Sequence, residues 1–405
     1  MAYDTNKNHQ DSRTCENALS NVKSNIFNPD LTQRTKWVAF AEEVDEIGRN
    51  IKRSTGAKDF AHLKKMERWG RLASFIGYAT AWIIPNPISA LLISQGNYTR
   101  WALIFHTVSH GALDRVPNIP ARYTSKGFAK GGRRFLDWFD WITPQSWHDE
   151  HNKMHHCFLG TESDPDVVVR NTAFLRENNI PMALRYVLSA VIACIWKPFY
   201  YAPNTLAESR FRRGLSKTNK LGSHTWSPFT AEGKELWLSC MLPYALTRFV
   251  VLPAMFLPLG KTAALCVLIN SVLAEIFTNL YSFATIAPNH TGDDVYTFTN
   301  LAKGRADFYL RQIVGTINFP AGNDVVDFFY GGMNYQIEHH LWPEASLYQC
   351  KRARPLLKQL CAKYEIPYQE FPILPRVLKT IKLMTGAAAP LEVTLVQKTL
   401  KRSAV

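Results

Sequence analysis

The chain has 405 residues, of which 46% are hydrophobic and 12% aromatic, which suffices for one large domain or two of average size. Lysine and arginine together number 47 against 33 acidic residues, giving a net charge of +14, yet no basic helix or aromatic-interleaved basic motif points to nucleic acid. The seven cysteines contain no C-x-x-C pair, which is typical of free thiols in a reducing compartment.

The first predicted elements lie outside the membrane. Residues 1–30 are polar and lack the apolar segment of a signal peptide, so we expect a disordered tail. From Trp37 onward, Phe40 and Val44 continue an apolar pattern at helical spacing, with charges between them. We therefore expect amphipathic helices over 31–70, packed on the body of the protein or lying on the membrane surface.

The first apolar block predicts a membrane hairpin, for which the sequence offers two turns, at Pro85–Pro87 or at Gly96–Arg100. With the proline turn, the helix leading to His106 would be about 27 Å long, close to the thickness of a bilayer core. With the later turn, this histidine would lie near the outer face. We therefore prefer the proline turn, which gives spans at about 72–84 and 88–112.

The second half of the chain predicts another hairpin after a long polar connection. Residues 114–235 are mostly polar, and the apolar stretch at 182–201 is interrupted, so we interpret that stretch as an interfacial or half-buried helix. A second apolar block then predicts spans at about 236–257 and 262–288, joined by a tight Pro-Gly turn.

The predicted fold is an all-α membrane protein with four transmembrane helices arranged as two hairpins. Arg248 and Glu275 lie within predicted spans, where a charge must face the bundle interior or a polar cavity. Both hairpins return to the side that carries most of the lysines and arginines, so the positive-inside tendency places that side, and both termini, in the cytoplasm. The membrane domain is predicted to cover 71–385, followed by a C-terminal tail over 386–405.

Three short segments group most of the twelve histidines near the cytoplasmic ends of the predicted spans. They are "HTVSH" with His106 and His110, "HDEHNKMHH" with His151, His155 and His156, and "QIEHH" with Gln336, His339 and His340. Histidines at i and i+4 share a helix face, whereas adjacent histidines diverge by about 100° and cannot easily bind one ion together. Two adjacent pairs therefore favour a dinuclear centre over one four-coordinate zinc, and the H-E-x-x-H motif of zinc proteases is absent.

Four further histidines are interpreted separately. His9, His62 and His224 are interpreted as exposed side chains. His148 is open between three interpretations: a further metal ligand, a partner that orients a ligand, or a surface residue.

The three segments together resemble the histidine boxes of the integral-membrane fatty-acid desaturases, over about 70–385. The glutamine that begins "QIEHH" is similar to the third box of the front-end acyl desaturases. The resemblance implies a stem of four helices and a cytoplasmic helical cap that holds two irons between the boxes. It implies a ligand set that also includes the histidine of "APNHTGDD": His106, His110, His151, His155, His156, His290, His339 and His340.

The resemblance also implies supporting roles and shows two departures. Gln336 would bind metal through its carbonyl oxygen, through water, or not at all, and Asp164 or Asp166 in "SDPDV" would orient ligating imidazoles. The second box usually reads H-x-x-H-H, but three residues separate His151 from His155 here, which leaves its register open. The H-P-G-G haem motif of a fused cytochrome b5 domain is absent.

The function predicted from these observations is O2-dependent desaturation of a fatty acyl chain, carried as acyl-CoA or acyl-lipid, by a di-iron centre. A hydroxylase or acetylenase on the same scaffold stays open as the alternative. A membrane metal carrier is disfavoured, because its ligands should follow a path through the spans rather than cluster at one surface. Electrons would come from a separate ferredoxin or cytochrome b5-like donor with its reductase, and the multi-pass protein would lie in the plasma (inner) membrane or the endoplasmic reticulum.

Overall fold

A computed structural model of the protein describes residues 31–393, and most of these residues are helical. The described part contains two short strands, β1 (Tyr296–Phe298) and β2 (Leu391–Val393), which pair in parallel with Tyr296 opposite Leu391. The predicted tail over 1–30 and the end of the predicted tail over 386–405 lie outside the described residues.

The first helix, Leu31–Ser54, is amphipathic as its sequence pattern indicates. Trp37, Phe40 and Val44 are buried, because the helix packs against Leu347–Tyr364 and Arg305–Val314. It is therefore docked on the rest of the protein through its apolar face.

The next two helices form a hairpin that turns at the two prolines. Ala57–Ala81 ends before "WIIPN", and Pro87–Tyr98 begins after Asn86, whose side chain accepts a hydrogen bond from the Ser89 backbone N–H at 2.8 Å. The two helices approach closely at glycines: a Cβ at Gly96 would lie 2.8 Å from the Gly70 carbonyl oxygen.

This second helix of the hairpin does not stop at Tyr98. It continues through a π-helical turn, Thr99–Phe105, into His106–Ser109, so the alternative turn at Gly96–Arg100 is wrong. The helix Lys261–Ile286 packs along it from the other side.

Three helical segments of the described chain are long and apolar enough to cross a membrane: Met182–Arg212, Ala231–Leu259 and Lys261–Asn289. The second and third correspond to the predicted second hairpin, and Gly260 provides the turn with a φ of 112°. The helices that contain the first two predicted spans are not among the three, so the arrangement of four spans as two hairpins stays a prediction.

The segment Met182–Arg212 differs from our interpretation of 182–201 as an interfacial or half-buried helix. Lys197 and Pro198, which interrupt the apolar pattern, lie in a π-helical turn, Lys197–Tyr201, so the helix is continuous. The ammonium of Lys197 is buried, donates to Asp140 Oδ2 at 2.5 Å and lies 3.6 Å from the centre of the Trp101 ring. The charge of Lys197 is therefore satisfied by residues that are distant in sequence.

Two charged side chains inside the apolar helices are buried, as predicted. Glu275 accepts hydrogen bonds from the Trp141 indole at 2.6 Å and the Tyr244 hydroxyl at 2.9 Å. Arg248 donates to Asn97 Oδ1 at 2.5 Å and to the Tyr78 hydroxyl, so it connects the Ala231–Leu259 segment to the first hairpin. Polar side chains inside the apolar helices therefore satisfy one another's hydrogen bonds.

Most of the remaining elements are short. Together with Leu31–Ser54 they form the part of the protein that we call the head, which covers residues 31–54, 106–177, 202–230 and 290–393. The helices of the head not yet named are Ala121–Tyr123, Gly131–Arg133, Arg134–Asp137, Pro144–Trp147, His148–His155, His156–Phe158, Val168–Asn171, Phe174–Glu177, Ala202–Arg212, Ser223–Trp226, Asp324–Tyr330, Met333–Tyr335, Gln336–Leu341 and Ile373–Thr385. The three long segments contain further helices. The first contains Met182–Trp196 and ends within the head, the second consists of Ala231–Glu235, Leu236–Met241, Leu242–Leu246, Thr247–Val251, Leu252–Ala254 and Leu257–Leu259, and the third ends with Ala287–Asn289.

Candidate metal centre

The first histidine box lies where the π-helical turn Thr99–Phe105 returns to α-helix. His106 is held by its own helix, because its Nδ1 lies 3.2 Å from the carbonyl oxygen of Ala102 and leaves Nε2 free to face the head. His110 follows the last turn, and its Nε2 has no hydrogen-bond partner in the described part of the chain.

The second box is itself a π-helix, His148–His155. Backbone hydrogen bonds in a π-helix join residues five apart, so residues i+4 and i+5 flank residue i on the next turn. His151, His155 and His156 have this spacing and therefore stay on one side of the helix. The wider winding accommodates the three residues that separate His151 from His155, which a regular α-helix analysis of the sequence could not anticipate.

The third box is a short helix, Gln336–Leu341, which is fixed by hydrogen bonds of Glu338 and His340. The buried carboxyl group of Glu338 accepts from the Tyr368 hydroxyl at 2.6 Å and from Asn318 Nδ2 at 2.8 Å. His340 Nδ1 lies 2.9 Å from Gln312 Oε1, and the Gln312 amide also donates to the backbone of His156. Gln312 was not predicted from the sequence.

The structure brings all eight predicted histidine ligands together in two groups. Within each group, ring nitrogens lie within 4.8 Å of one another. The five-histidine group contains His106, His110, His151, His156 and His339, and the three-histidine group contains His155, His290 and His340.

Distances within the five-histidine group match those around a bound metal. The Nε2 atom of His151 lies 2.9 Å from that of His106 and 3.2 Å from that of His156, which in turn lies 3.1 Å from His339 Nε2. Imidazole nitrogens that bind one metal at about 2.0–2.1 Å are separated by about 2.9–3.4 Å. A neutral ring nitrogen has one proton or one lone pair, so two such contacts cannot both be hydrogen bonds. A cation between the rings would satisfy all of them.

Several of the histidines are also in the protonation state that metal binding requires. Burial lowers the pKa of His151, His156 and His340 well below the ordinary value, and it lowers the pKa of His290 to about 3. These imidazoles are therefore neutral at physiological pH, with a lone pair available to a metal.

The ring of His155 is oriented by the carboxylate of Asp164, and the carboxylate of Asp166 lies nearby. The Nδ1 atom of His155 lies 3.0 Å from Asp164 Oδ1 and 3.7 Å from Asp166 Oδ2. Burial by itself lowers the pKa of His155, but the charge of Asp164 outweighs it and leaves the pKa raised. Asp164 is held in turn by the backbone N–H groups of Gly160 and Asp166, at 2.8 and 2.9 Å. This arrangement leaves Nε2 of His155 for a metal.

Gln336 lies beside the three-histidine group. Its Nε2 is 3.4 Å from His290 Nε2, and its buried Oε1 has no hydrogen-bond partner among the described residues. An unpaired amide oxygen at this place is compatible with each of the roles left open for Gln336, including direct binding of a metal.

His148 is not part of either group. Its half-buried ring lies 3.1 Å, through Nδ1, from Asn152 Nδ2, and the Asn152 amide also donates to the Ser109 carbonyl oxygen. The geometry therefore favours His151 as the first histidine of the second box. The interpretation of His62 as exposed is wrong, because it is buried 3.5 Å from Asp324, whereas His224 is partly exposed and His9 lies outside the described residues.

A narrow apolar cavity of about 320 Å³ reaches both histidine groups. Its walls include His106 and His151 from the first group and His155 and His290 from the second. The other lining side chains are mainly aromatic and aliphatic, among them Trp101, Trp147, Trp196, Tyr201, Phe283 and Ile286. A flexible hydrocarbon chain could therefore lie against both groups while surrounded by apolar atoms.

Comparison with known proteins identifies the family. The model of the family described as fatty acid desaturase matches residues 59–372, which is most of the chain and includes every histidine of the two groups. The chain belongs to the fatty acid desaturase family. It is therefore a membrane oxidoreductase that desaturates fatty acyl chains.

The desaturase has relatives of several kinds. It is 23% identical over 369 residues to an NADPH-dependent stearoyl-CoA 9-desaturase from Mycobacterium tuberculosis, covering 86% of this chain and 79% of the relative. It is 23% identical to a chloroplastic acyl-lipid (7-3)-desaturase from Chlamydomonas reinhardtii, covering 76% of this chain and 58% of the relative. It is 32% identical over 100 residues to Delta(8)-fatty-acid desaturase 2 from Arabidopsis thaliana, covering 25% of this chain and 21% of the relative.

The register of the second box can be tested with two alanine variants. Because His151 Nε2 lies between two other ring nitrogens, we expect His151→Ala to lower the bound metal per chain and to abolish turnover. We expect His148→Ala to retain the metal and to lose at most about 10–100-fold in activity, since its ring contacts only a neighbour of the ligands. Metal content and product yield of the two purified variants check this. An inactive, metal-poor His148→Ala beside an active His151→Ala would contradict the assignment.

Proposed function

We propose that the two histidine groups bind two iron ions and that the enzyme uses O2 to introduce a double bond into a fatty acyl chain. The five-histidine group would hold one iron, and the three-histidine group, completed by Gln336 or water, would hold the other. When bound, the irons supply the activation of O2 that removes two hydrogens from neighbouring methylenes. The proposal is supported most directly by the apolar cavity, because it touches both groups at once.

The side chains around the irons have three tasks. The carboxylate of Asp164 at His155 and the amide of Gln312 at His340 fix ring orientations, which would keep the ligand nitrogens directed at the metals. The aromatic walls hold the acyl chain in one conformation, since a methylene offers no charge by which to select it. The same walls exclude water from the reacting carbons.

Electrons would arrive on the opposite side of the centre from the acyl chain. A second, larger cavity of about 910 Å³ is lined by His110 and His148 and opens among Arg115, Lys126 and Lys130. Lys126 and Lys130 are exposed, and neither has an ion-pair partner in the described part of the chain. We propose that an acidic electron carrier, a ferredoxin or a cytochrome b5-like protein kept reduced by its reductase, docks at this cavity.

The proposed orientation follows from the same charges. Basic residues concentrate in the head, so the positive-inside tendency would place the metal centre and both termini in the cytoplasm. The membrane would be the plasma (inner) membrane or the endoplasmic reticulum.

The product tests the proposed reaction. We expect a host that expresses the protein to accumulate fatty acids with one additional double bond, because the apolar cavity that would hold the acyl chain reaches both histidine groups. Mass spectrometry with localisation of the double bond measures this, and a host that expresses His151→Ala is the control. Accumulation of hydroxylated or acetylenic chains instead would contradict desaturation and favour the alternative chemistry.

The docking site for the electron carrier is tested by reversing charge at its rim. We expect Lys126→Glu combined with Lys130→Glu to raise the KM for a reduced, acidic ferredoxin about tenfold or more at low salt, because steering by opposite charge is lost. Lys217→Glu, an exposed lysine outside the cavity, should leave this KM unchanged. Steady-state kinetics at two ionic strengths provide the measurement. An equal effect of both changes would place the carrier elsewhere.

A further inference from the structure

An exposed apolar stripe runs along the helix Met182–Trp196 and beyond its end. It consists of Leu184, Val187, Val191, Ile195 and Phe199, which follow at spacings of three or four residues and are each at least 38% exposed. From Tyr186 to Trp196 the sequence contains no charged residue. A continuous apolar stripe on a segment long enough to cross a membrane is suited to contact with lipid hydrocarbon.

The apolar cavity opens at the end of this stripe. Ile195 and Phe199 belong to the stripe and also line the cavity, and Phe174 is the third exposed side chain in its wall. The opening therefore lies beside the surface suited to lipid, whereas the histidines line other parts of the same cavity. A chain could pass from the lipid to the metal centre through a cavity whose wall is mainly apolar, although Asp166, Asn171 and Thr172 also line it.

Cations that could bind a phosphate-rich head group are absent from this cavity. None of its lining residues in the described chain is lysine or arginine. The nearby Arg176 donates to the carbonyl oxygens of Met384 and Leu383, and Arg185 donates to those of Ile180 and Thr385. A coenzyme A thioester, which carries several phosphates, would be expected to meet uncommitted basic groups at such an opening.

We infer that the acyl chain enters laterally from the bilayer between Phe174, Ile195 and Phe199, and that the substrate is an acyl group esterified to a membrane lipid. This inference rests on the proposed function and adds the substrate class to it. A phospholipid can leave its head group at the membrane surface while its acyl chain bends into the cavity. The uncharged opening suits this arrangement.

The substrate class is tested in a host that expresses the protein and receives a short pulse of a 13C-labelled fatty acid. We expect the newly desaturated labelled chain to appear in phospholipid before it appears in the acyl-CoA pool. Appearance in the acyl-CoA pool first would overturn the inference while leaving desaturation itself intact. Absence of any new double bond in either pool would contradict the proposed function instead, so the two failures can be distinguished.

The position of the opening is tested by placing a charge in it. We expect Ile195→Asp to lower the yield of desaturated product at least tenfold with bound metal unchanged, because an acyl chain would have to pass a carboxylate. The matched control is Val187→Asp, since Val187 lies on the same stripe, is 57% exposed and does not line the cavity. Equal product yields from Ile195→Asp and Val187→Asp would overturn entry at this opening.

Discussion

The structure depends on one constraint, which is that several neutral imidazoles meet away from water with their ring nitrogens about 3 Å apart. His151 Nε2 lies between two other Nε2 atoms, and so does His156 Nε2. Without a cation, these contacts bring lone pairs or protons together and are unfavourable. Three of the surrounding rings are held by their outer Nδ1 nitrogens: His106 by the carbonyl oxygen of Ala102, His155 by Asp164 and His340 by Gln312. A metal bound between the rings would remove the unfavourable contacts between the facing Nε2 atoms.

Irregular helix winding is the means by which the chain meets this constraint. The first box follows a π-helical turn and the second box is a π-helix, so both boxes depart from regular α-helical geometry next to the centre. The same feature at Lys197–Tyr201 forms part of the wall of the acyl cavity. Each of the three π-helical turns contributes side chains to the wall of this cavity, among them Trp101, His151 and Phe199.

The sequence predicted the parts of the site that depend on local spacing. A few consecutive residues suffice to recognise each of the three boxes, the segment of His290 and the proline turn. The structure brings the eight histidines together. The sequence did not predict the role of Gln312 or the burial of His62, because these residues contact partners that are distant in sequence. The pairing of β1 with β2 joins segments almost one hundred residues apart and likewise leaves no local pattern. The π-helical winding of the second box has only an indirect signal in the sequence, which is the one residue more than usual between His151 and His155.

The central claim is that the two histidine groups hold two irons, and the most direct measurement is the metal content of the purified, active enzyme. Elemental analysis together with Mössbauer spectroscopy of protein enriched in 57Fe should give about two irons per chain in nitrogen-rich coordination, magnetically coupled through their proximity. One iron per chain at full activity, or stoichiometric zinc in active enzyme, would contradict the account.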